Sequence, residues 1–332
     1  MKSDRMRESD NVEDRRGQSS GSFGRGSFGR GGGMGSGGIG LLLQLLLMGG
    51  GRSKWLILII LGFLIFGGGA GLGGILTGDQ GSNSEITTQQ EQPQEQDRGQ
   101  EAGQEIQNQN SEAGDEVTDE EGAFLSKVLA STEDFWTETF KAEGLSYDPP
   151  QLVLYTGGTM TGGCGIGQAT AGPFYCPGDS KVYIDVSFYR ELQNRYQAKG
   201  DFAMAYVLAH EVGHHVQNQL GIMDDYNQAR QGLSETRANQ LNVRLELQAD
   251  YYAGAWSHYV EGQGLLDEGD VEEAIEAAKA VGDDTIQQET YGRVVPDAFT
   301  HGSSQQRTSW FKRGYQYGDL EHGDTFKEDI DL

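Results

Sequence analysis

The spacing of apolar residues predicts a mostly helical domain between residues 122 and 332. In several long stretches, apolar positions recur at the three- and four-residue intervals of an amphipathic helix. The predicted helices span residues 123–141, 187–198, 202–220, 239–260, 270–281 and 303–315. Strands are predicted over 151–156 and 181–187, because Val182, Ile184 and Val186 of the second stretch alternate with other residues. Many helices beside a small, early sheet favour an α+β fold.

A different apolar pattern, without periodicity, covers residues 55–76. The stretch has no charged side chain, and a helix of this length reaches about 33 Å, enough to cross a bilayer. Arg52 and Lys54 precede it, and Trp55 is placed as an interface anchor. We therefore expect a single-pass protein of the cytoplasmic membrane, with a cytoplasmic N-terminus and a periplasmic or extracellular domain over 122–332. The length of the leader argues against a signal peptide, and the lack of charge argues against a core helix.

The segments on either side of this stretch differ in composition. Residues 1–54 carry nine basic and five acidic side chains among many glycines, which predicts a disordered Gly-rich cytoplasmic tail. Residues 77–121 carry thirteen acidic side chains and one basic side chain, which predicts a disordered acidic stalk. Over the whole chain the formal net charge is −25. This charge argues against nucleic-acid binding, which generally requires a basic surface for the phosphates.

The chain has two cysteines, Cys164 and Cys176, in a Gly-rich loop between the predicted strands. An exported domain would favour a disulfide between them, because the compartments outside the cytoplasm are oxidising. In a cytoplasmic domain they would be two free thiols. The choice therefore depends on the topology expected above.

The predicted helix 202–220 contains the sequence His210-Glu211-Val212-Gly213-His214. Two histidines four residues apart lie on one helix face, so both imidazoles can bind the same metal ion. Glu211 lies beside them, within reach of a water on that metal, and this H-E-x-x-H pattern is typical of zinc metallopeptidases. The alternative is a solvated helix face with two ordinary histidines.

A catalytic zinc ion generally takes three protein ligands and leaves one position for water. Glu246 and Asp250 lie four residues apart on the predicted helix 239–260. Glu246 is the candidate third ligand, and Asp250 is placed to accept a hydrogen bond from the second ring nitrogen of a ligand histidine. The alternative is an exposed acidic pair, but the apolar neighbours on this helix predict burial, and buried carboxylates need partners.

These residue types predict hydrolysis of peptide bonds in a peptide or protein substrate. Zn²⁺ bound to the histidines and Glu246 would acidify its water, and Glu211 would take the proton as general base and deliver it to the leaving amine. His301 is either a donor to the oxyanion or an ordinary loop histidine. The strand 181–186 either offers an open edge to an extended peptide or is a covered structural strand.

Several long motifs, in order, make the chain resemble the bacterial membrane-anchored putative neutral zinc metallopeptidases. They span Arg7–Arg16, Gly172–Pro177, Ala209–Gln217, Arg244–Asp250 and Thr300–Ser304. The resemblance implies a zincin-like, gluzincin-type peptidase domain behind one membrane anchor. It supports His210, His214 and Glu246 as zinc ligands and Glu211 as the catalytic acid and base. The alternative from another class is a catalytically silent, zinc-binding scaffold or interaction protein.

Overall fold

The computed structural model describes residues 1–17, 119–168, 172–188, 200–328 and 330. Within these residues there are seven α-helices and six short strands, which confirms the α+β prediction. The helices are α1 (Asp119–Ala142), α2 (Phe202–Gln219), α3 (Ile222–Arg230), α4 (Glu235–Gly262), α5 (Asp270–Ala280), α6 (Asp283–Tyr291) and α7 (Ser304–Tyr317). The strands are β1 (Val12–Asp14), β2 (Gln151–Tyr155), β3 (Gly158–Met160), β4 (Ile166–Gln168), β5 (Phe174–Cys176) and β6 (Lys181–Asp185).

The main sheet has four strands in the order β1-β2-β6-β5. Strands β1, β2 and β6 are parallel, and β5 is antiparallel to β6. Strands β3 and β4 form a separate antiparallel hairpin. The disulfide between Cys164 and Cys176 joins the loop of this hairpin to the end of β5, with the two Cα atoms 5.9 Å apart. The disulfide prediction is thereby confirmed.

The long predicted helices are present as α1, α2, α4, α5 and α7, with bounds shifted by a few residues. Helices α3 and α6 and four of the strands were not predicted, because elements of three to nine residues are too short to show a clear periodicity. Helix α1 begins at Asp119, so the last three residues of the predicted stalk are helical.

Several predictions fall on other parts of the chain. The transmembrane segment 55–76 lies outside the described residues, as do residues 18–54 of the tail, 77–118 of the stalk and nearly all of the helix predicted over 187–198. None of the helices in the described ranges combines the length and the apolar character that crossing a bilayer would require.

The open-edge interpretation of strand 181–186 is wrong. Strand β6 pairs with β2 on one side and with β5 on the other, so neither of its edges is free. Val182, Tyr183 and Ile184 are fully buried, as expected for a central strand that is covered on both faces. Of the two alternatives, the covered structural strand is correct.

Residues 1–17 differ from the expected disordered tail, because they belong to the folded domain. Val12, Glu13 and Asp14 form β1 at the edge of the main sheet, in register with Leu152, Val153 and Leu154 of β2. Met1 is buried in the main hydrophobic core, and Met6 and Val12 pack against it. The tail prediction failed here because the partner strand lies about 140 residues further along the chain, and no local pattern reports such pairing.

Helices α4 and α7 cross at very short range, and glycines at the crossing allow it. A Cβ atom added to Gly314 would overlap the carbonyl oxygen of Tyr251 and lie 2.9 Å from the backbone nitrogen of Ala255. A Cβ added to Gly254 would likewise overlap the carbonyl oxygen of Phe311. The crossing therefore fixes α7 against the helix that carries Glu246 and Asp250.

We expect Gly314→Ala to destabilise the protein by about 1–3 kcal/mol or more, because the extra methyl group forces two helix backbones apart. Urea unfolding followed by tryptophan fluorescence measures the change. Gly262→Ala is the matched control on α4, since a Cβ added there meets nothing within 4 Å. The control should remain within about 1 kcal/mol of the wild type. Equal stability of the two variants would contradict the close crossing.

Candidate metal centre

Helices α2 and α4 bring the two halves of the candidate site together. Gly213, inside the H-E-x-x-H sequence, lies against α4, where an added Cβ would stand 3.2 Å from the Cα atom of Ala249. Ala249 lies between Glu246 and Asp250 on α4, three residues after the first and one residue before the second. The small residues at this contact therefore place the histidines of α2 directly beside the carboxylates of α4.

His210, His214 and Glu246 converge at this crossing. One ligand atom from each lies within 4.8 Å of the other two. The Oε2 atom of Glu246 is 3.2 Å from Nε2 of His210 and 3.6 Å from Nε2 of His214. All three side chains are largely buried. The structure thus brings together the three residues that the sequence analysis selected as ligands.

Hydrogen bonds to the other ring nitrogens orient both imidazoles. Nδ1 of His210 lies 2.9 Å from Oδ1 of Asp250, and Nδ1 of His214 lies 2.8 Å from Oε1 of Gln217. Both partners are acceptors, so each Nδ1–H donates and each Nε2 of a neutral ring presents its lone pair to Glu246. Three acceptors facing one another require a proton or a cation between them. Two imidazole nitrogens and one carboxylate oxygen form a donor set suited to Zn²⁺.

Asp250 is the centre of a buried network behind His210. Its side chain is fully buried, and its Oδ1 atom accepts hydrogen bonds from the Tyr206 hydroxyl at 2.6 Å and from His210. The Arg307 guanidinium of α7 donates to both carboxylate oxygens, at 2.9 and 2.8 Å. Arg307 also donates to the Tyr206 hydroxyl at 3.1 Å. Four donated hydrogen bonds therefore hold the carboxylate that orients His210.

The charges in this network stabilise an ion pair. Burial raises the pKa of Asp250, but Arg307 and His210 lower it more strongly, to about 2. Burial lowers the pKa of His210, but the Asp250 carboxylate outweighs that effect and raises the pKa to about 9. This carboxylate therefore favours the doubly protonated, cationic form of the His210 imidazole. A metal ion replaces the second proton, because a ligand imidazole must be neutral.

We expect Asp250→Asn to weaken zinc binding by about 10–100-fold, the usual cost of losing the group that orients a ligand histidine. The substitution keeps the side-chain size but removes the charge that faces His210 and Arg307. Titration with a competing chelator measures the affinity. Glu235→Gln, an exposed change on the same helix, is the control and should bind zinc as the wild type does. Wild-type affinity in Asp250→Asn would contradict the orienting role.

Gln217 plays the corresponding part for His214. Its Nε2 atom donates to the carbonyl oxygen of Leu245 at 2.7 Å and to Oε1 of Gln248 at 3.1 Å. These bonds fix the amide so that its oxygen faces Nδ1 of His214. The Gln217 side chain is fully buried, and it links α2 to α4 directly beside the candidate ligands.

His301 lies near the cluster, on the loop that precedes α7. Asp283, at the start of α6, accepts hydrogen bonds at one oxygen from the backbone N–H groups of Thr300, His301 and Gly302, at 2.6, 2.6 and 3.0 Å. Burial lowers the pKa of His301, but the Glu246 carboxylate and Asp283 raise it overall. Burial raises the pKa of Glu246, but His214 and His301 lower it well below its usual range.

Glu211 follows His210 on α2 and is buried, with 8% of its surface exposed. Its role as general base stays a prediction. His215 does not join the cluster, because its ring lies between the hydroxyl of Tyr175 and the carbonyl oxygen of Asp148. The site also contains residues that the sequence analysis did not select, namely Tyr206, Gln217, Asp283 and Arg307.

The sequence could have indicated only two of these four residues. Tyr206 and Gln217 lie four residues before His210 and three residues after His214, so helical spacing places each on the face of its histidine. Asp283 and Arg307 are far away in the chain, and Arg307 is 57 residues beyond Asp250. A single sequence gives no reason to connect them.

A second group of acidic side chains is unrelated to this site. Among the described residues, Asp201, Asp270 and Glu273 also lie close enough to share a cation. The ammonium group of Met1 lies against them, 2.8 Å from Asp201 and 3.4 Å from Asp270. The group therefore has a cationic partner from the chain itself.

Comparisons with known proteins agree with the geometry. Residues 1–326 match the protein family described as "Putative neutral zinc metallopeptidase". The chain is 44% identical over 325 residues to the Escherichia coli K12 protein YpfJ, and the match covers 98% of each chain. It is 44% identical over 191 residues to the Mycobacterium bovis protein Mb2605, covering 54% of this chain and 63% of that protein. No solved structure matches the chain.

Proposed function

Because the chain belongs to the family described as putative neutral zinc metallopeptidases, we propose that it is a zinc-dependent peptidase that hydrolyses peptide bonds. The single observation that carries the proposal is the convergence of His210, His214 and Glu246, whose ligand atoms lie within 4.8 Å of one another. These residues would hold the zinc ion through two Nε2 atoms and one carboxylate oxygen. The orientation of both rings through their Nδ1 atoms supports this assignment.

Residues around the proposed ligands carry out the remaining catalytic steps. A bound zinc ion supplies Lewis acidity, which acidifies a water molecule and polarises a carbonyl group. Glu211 accepts a proton from the attacking water at its carboxylate and returns it to the leaving amine. A carboxylate suits both steps, because it can hold the proton between them. The adjacency of Glu211 to His210 on α2 supports this role.

His301 completes the proposed site as a donor to the oxyanion of the tetrahedral intermediate. The raised pKa of its imidazole favours the protonated, donating form. Three backbone hydrogen bonds to Asp283 fix the loop that carries His301. Asp250 and Arg307 have no direct part in this proposal and serve to orient His210.

The function is tested with the purified full chain, because residues 1–17 are part of the folded domain. We expect about one zinc ion per chain, as for a three-ligand catalytic site. A broad peptide library analysed by mass spectrometry should show cleavage that stops with a chelator and returns when zinc is added back. A chain that binds about one zinc ion but cleaves no peptide would favour the silent scaffold. A chain that takes up no zinc would exclude both functions.

A further inference from the structure

A buried carboxylate on α1 accepts hydrogen bonds from residues near the start of the chain. Glu133 is only 6% exposed, and three donors from the N-terminal segment, residues 1–17, meet it. Arg7 donates at 2.9 Å, the hydroxyl of Ser9 at 2.5 Å and the side-chain amide of Asn11 at 2.8 Å. A buried carboxylate is tolerated only with such partners. Without the N-terminal segment, the buried Glu133 carboxylate would lose these three donors.

Backbone hydrogen bonds also hold the N-terminal segment on the domain. Residues 12–14 cover one edge of β2, and without them the unpaired backbone groups of β2 would be open to other strands. The backbone nitrogen of Lys2 donates to the carbonyl oxygen of Leu265 at 2.8 Å, and that of Arg15 to Leu154 at 2.8 Å. The contacts thus extend over the whole N-terminal segment.

The charged side chains of this segment are matched to the domain. Residues 1–17 carry five basic and five acidic side chains, so the excess positive charge of residues 1–54 lies entirely in 18–54. Glu13 pairs with Lys181 of β6 at 3.0 Å. Arg15 donates to the Thr159 hydroxyl at 2.9 Å and to the Met160 carbonyl at 2.8 Å, and so holds the β3–β4 hairpin. The surplus of basic residues that would favour a cytoplasmic location therefore lies outside the N-terminal segment that packs on the domain.

We propose that the N-terminal segment stays docked on the domain and lies on the same side of the membrane as the domain. A chain that crosses the bilayer once between residue 17 and residue 119 would hold β1 and β2 on opposite sides and could not form this sheet. The expected topology, with a cytoplasmic N-terminus and an external domain, is therefore incompatible with the fold. Disulfides persist mainly in oxidising compartments, so the bond between Cys164 and Cys176 favours a location of both parts outside the cytoplasm.

Cysteine labelling of the full chain in intact cells tests the proposal. Asp10→Cys lies in the N-terminal segment and Glu289→Cys at the end of α6, and both positions are exposed. The wild-type chain gives the background, because it has only Cys164 and Cys176. We expect a membrane-impermeant maleimide to label both variants to the same extent before lysis. Labelling of one variant before lysis and of the other only after lysis would overturn the proposal. Neither result depends on zinc or on peptidase activity.

A second experiment measures the docking itself. A site for a specific protease is inserted between residues 77 and 118 of the full chain, which carries a C-terminal affinity tag. After cleavage in detergent, the N-terminal fragment should remain with the tagged domain. Glu133→Ala should release most of it, whereas Glu138→Ala, an exposed change on the same helix, should not. Separation of the fragment from the wild-type domain would overturn the proposal.

Discussion

Replacement of Glu211 by Gln should abolish nearly all peptide cleavage and leave zinc binding intact. The amide has the size of the carboxylate but cannot take a proton from water, so the proton transfer loses its acceptor. A positioned general base contributes about 10²–10⁴-fold to the rate, and we expect kcat/KM to fall by that factor. The measurement combines cleavage of the best library peptide with metal analysis of the same preparation.

The control for this prediction is Asp225→Asn, which removes an acidic charge from an exposed position on α3. It should cleave and bind zinc as the wild type does. Unchanged cleavage by Glu211→Gln would exclude Glu211 as the base. Loss of zinc from that variant would instead place Glu211 among the groups that hold the metal.

Glu246→Gln should remove most of the bound zinc. The side chain lies 3.2 Å from His210 and 3.6 Å from His214, and it supplies the only negative charge of the three-residue set. An amide oxygen is a far weaker zinc ligand than a carboxylate. Loss of an orienting partner lowers zinc affinity by about 10–100-fold. Loss of Glu246 should lower zinc affinity further. Zinc per chain after dialysis, together with a chelator titration, measures the change.

Glu261→Gln removes the same charge from an exposed position on α4 and is the matched control. Its zinc content should equal that of the wild type. If Glu246→Gln also retains full zinc occupancy, Glu246 is not a ligand. Cleavage activity should follow the zinc content of each variant, because both depend on the same cluster.

The helical part of the site was predictable because its geometry is local. Residues four apart on a helix share a face whatever surrounds them, so the sequence alone pairs His210 with His214 and Glu246 with Asp250. The long helices were predictable for the same reason, since their apolar spacing reports a buried face. The sequence could not establish that the two pairs meet, because nothing local relates α2 to α4.

The contribution of distant segments was not predictable. Arg307 reaches Asp250 because glycines let α7 pack against α4, and Asp283 holds His301 through three backbone N–H groups. In both cases the partners belong to different elements, and their contact depends on how those elements pack. Strand β1 is the clearest example, because its three residues show no periodicity and pair with β2 across more than a hundred intervening residues.

The sequence by itself therefore determined the types of candidate ligand, their pairing on two helices and the long helices that carry them, since each depends on neighbours within a few residues. Only the tertiary structure decided that the two pairs share one site, that Arg307 and Asp283 support it, and that the first seventeen residues belong to the domain. The physical reason is that hydrogen bonds and packing between distant segments form only once the whole chain has folded, and a local pattern carries no record of them.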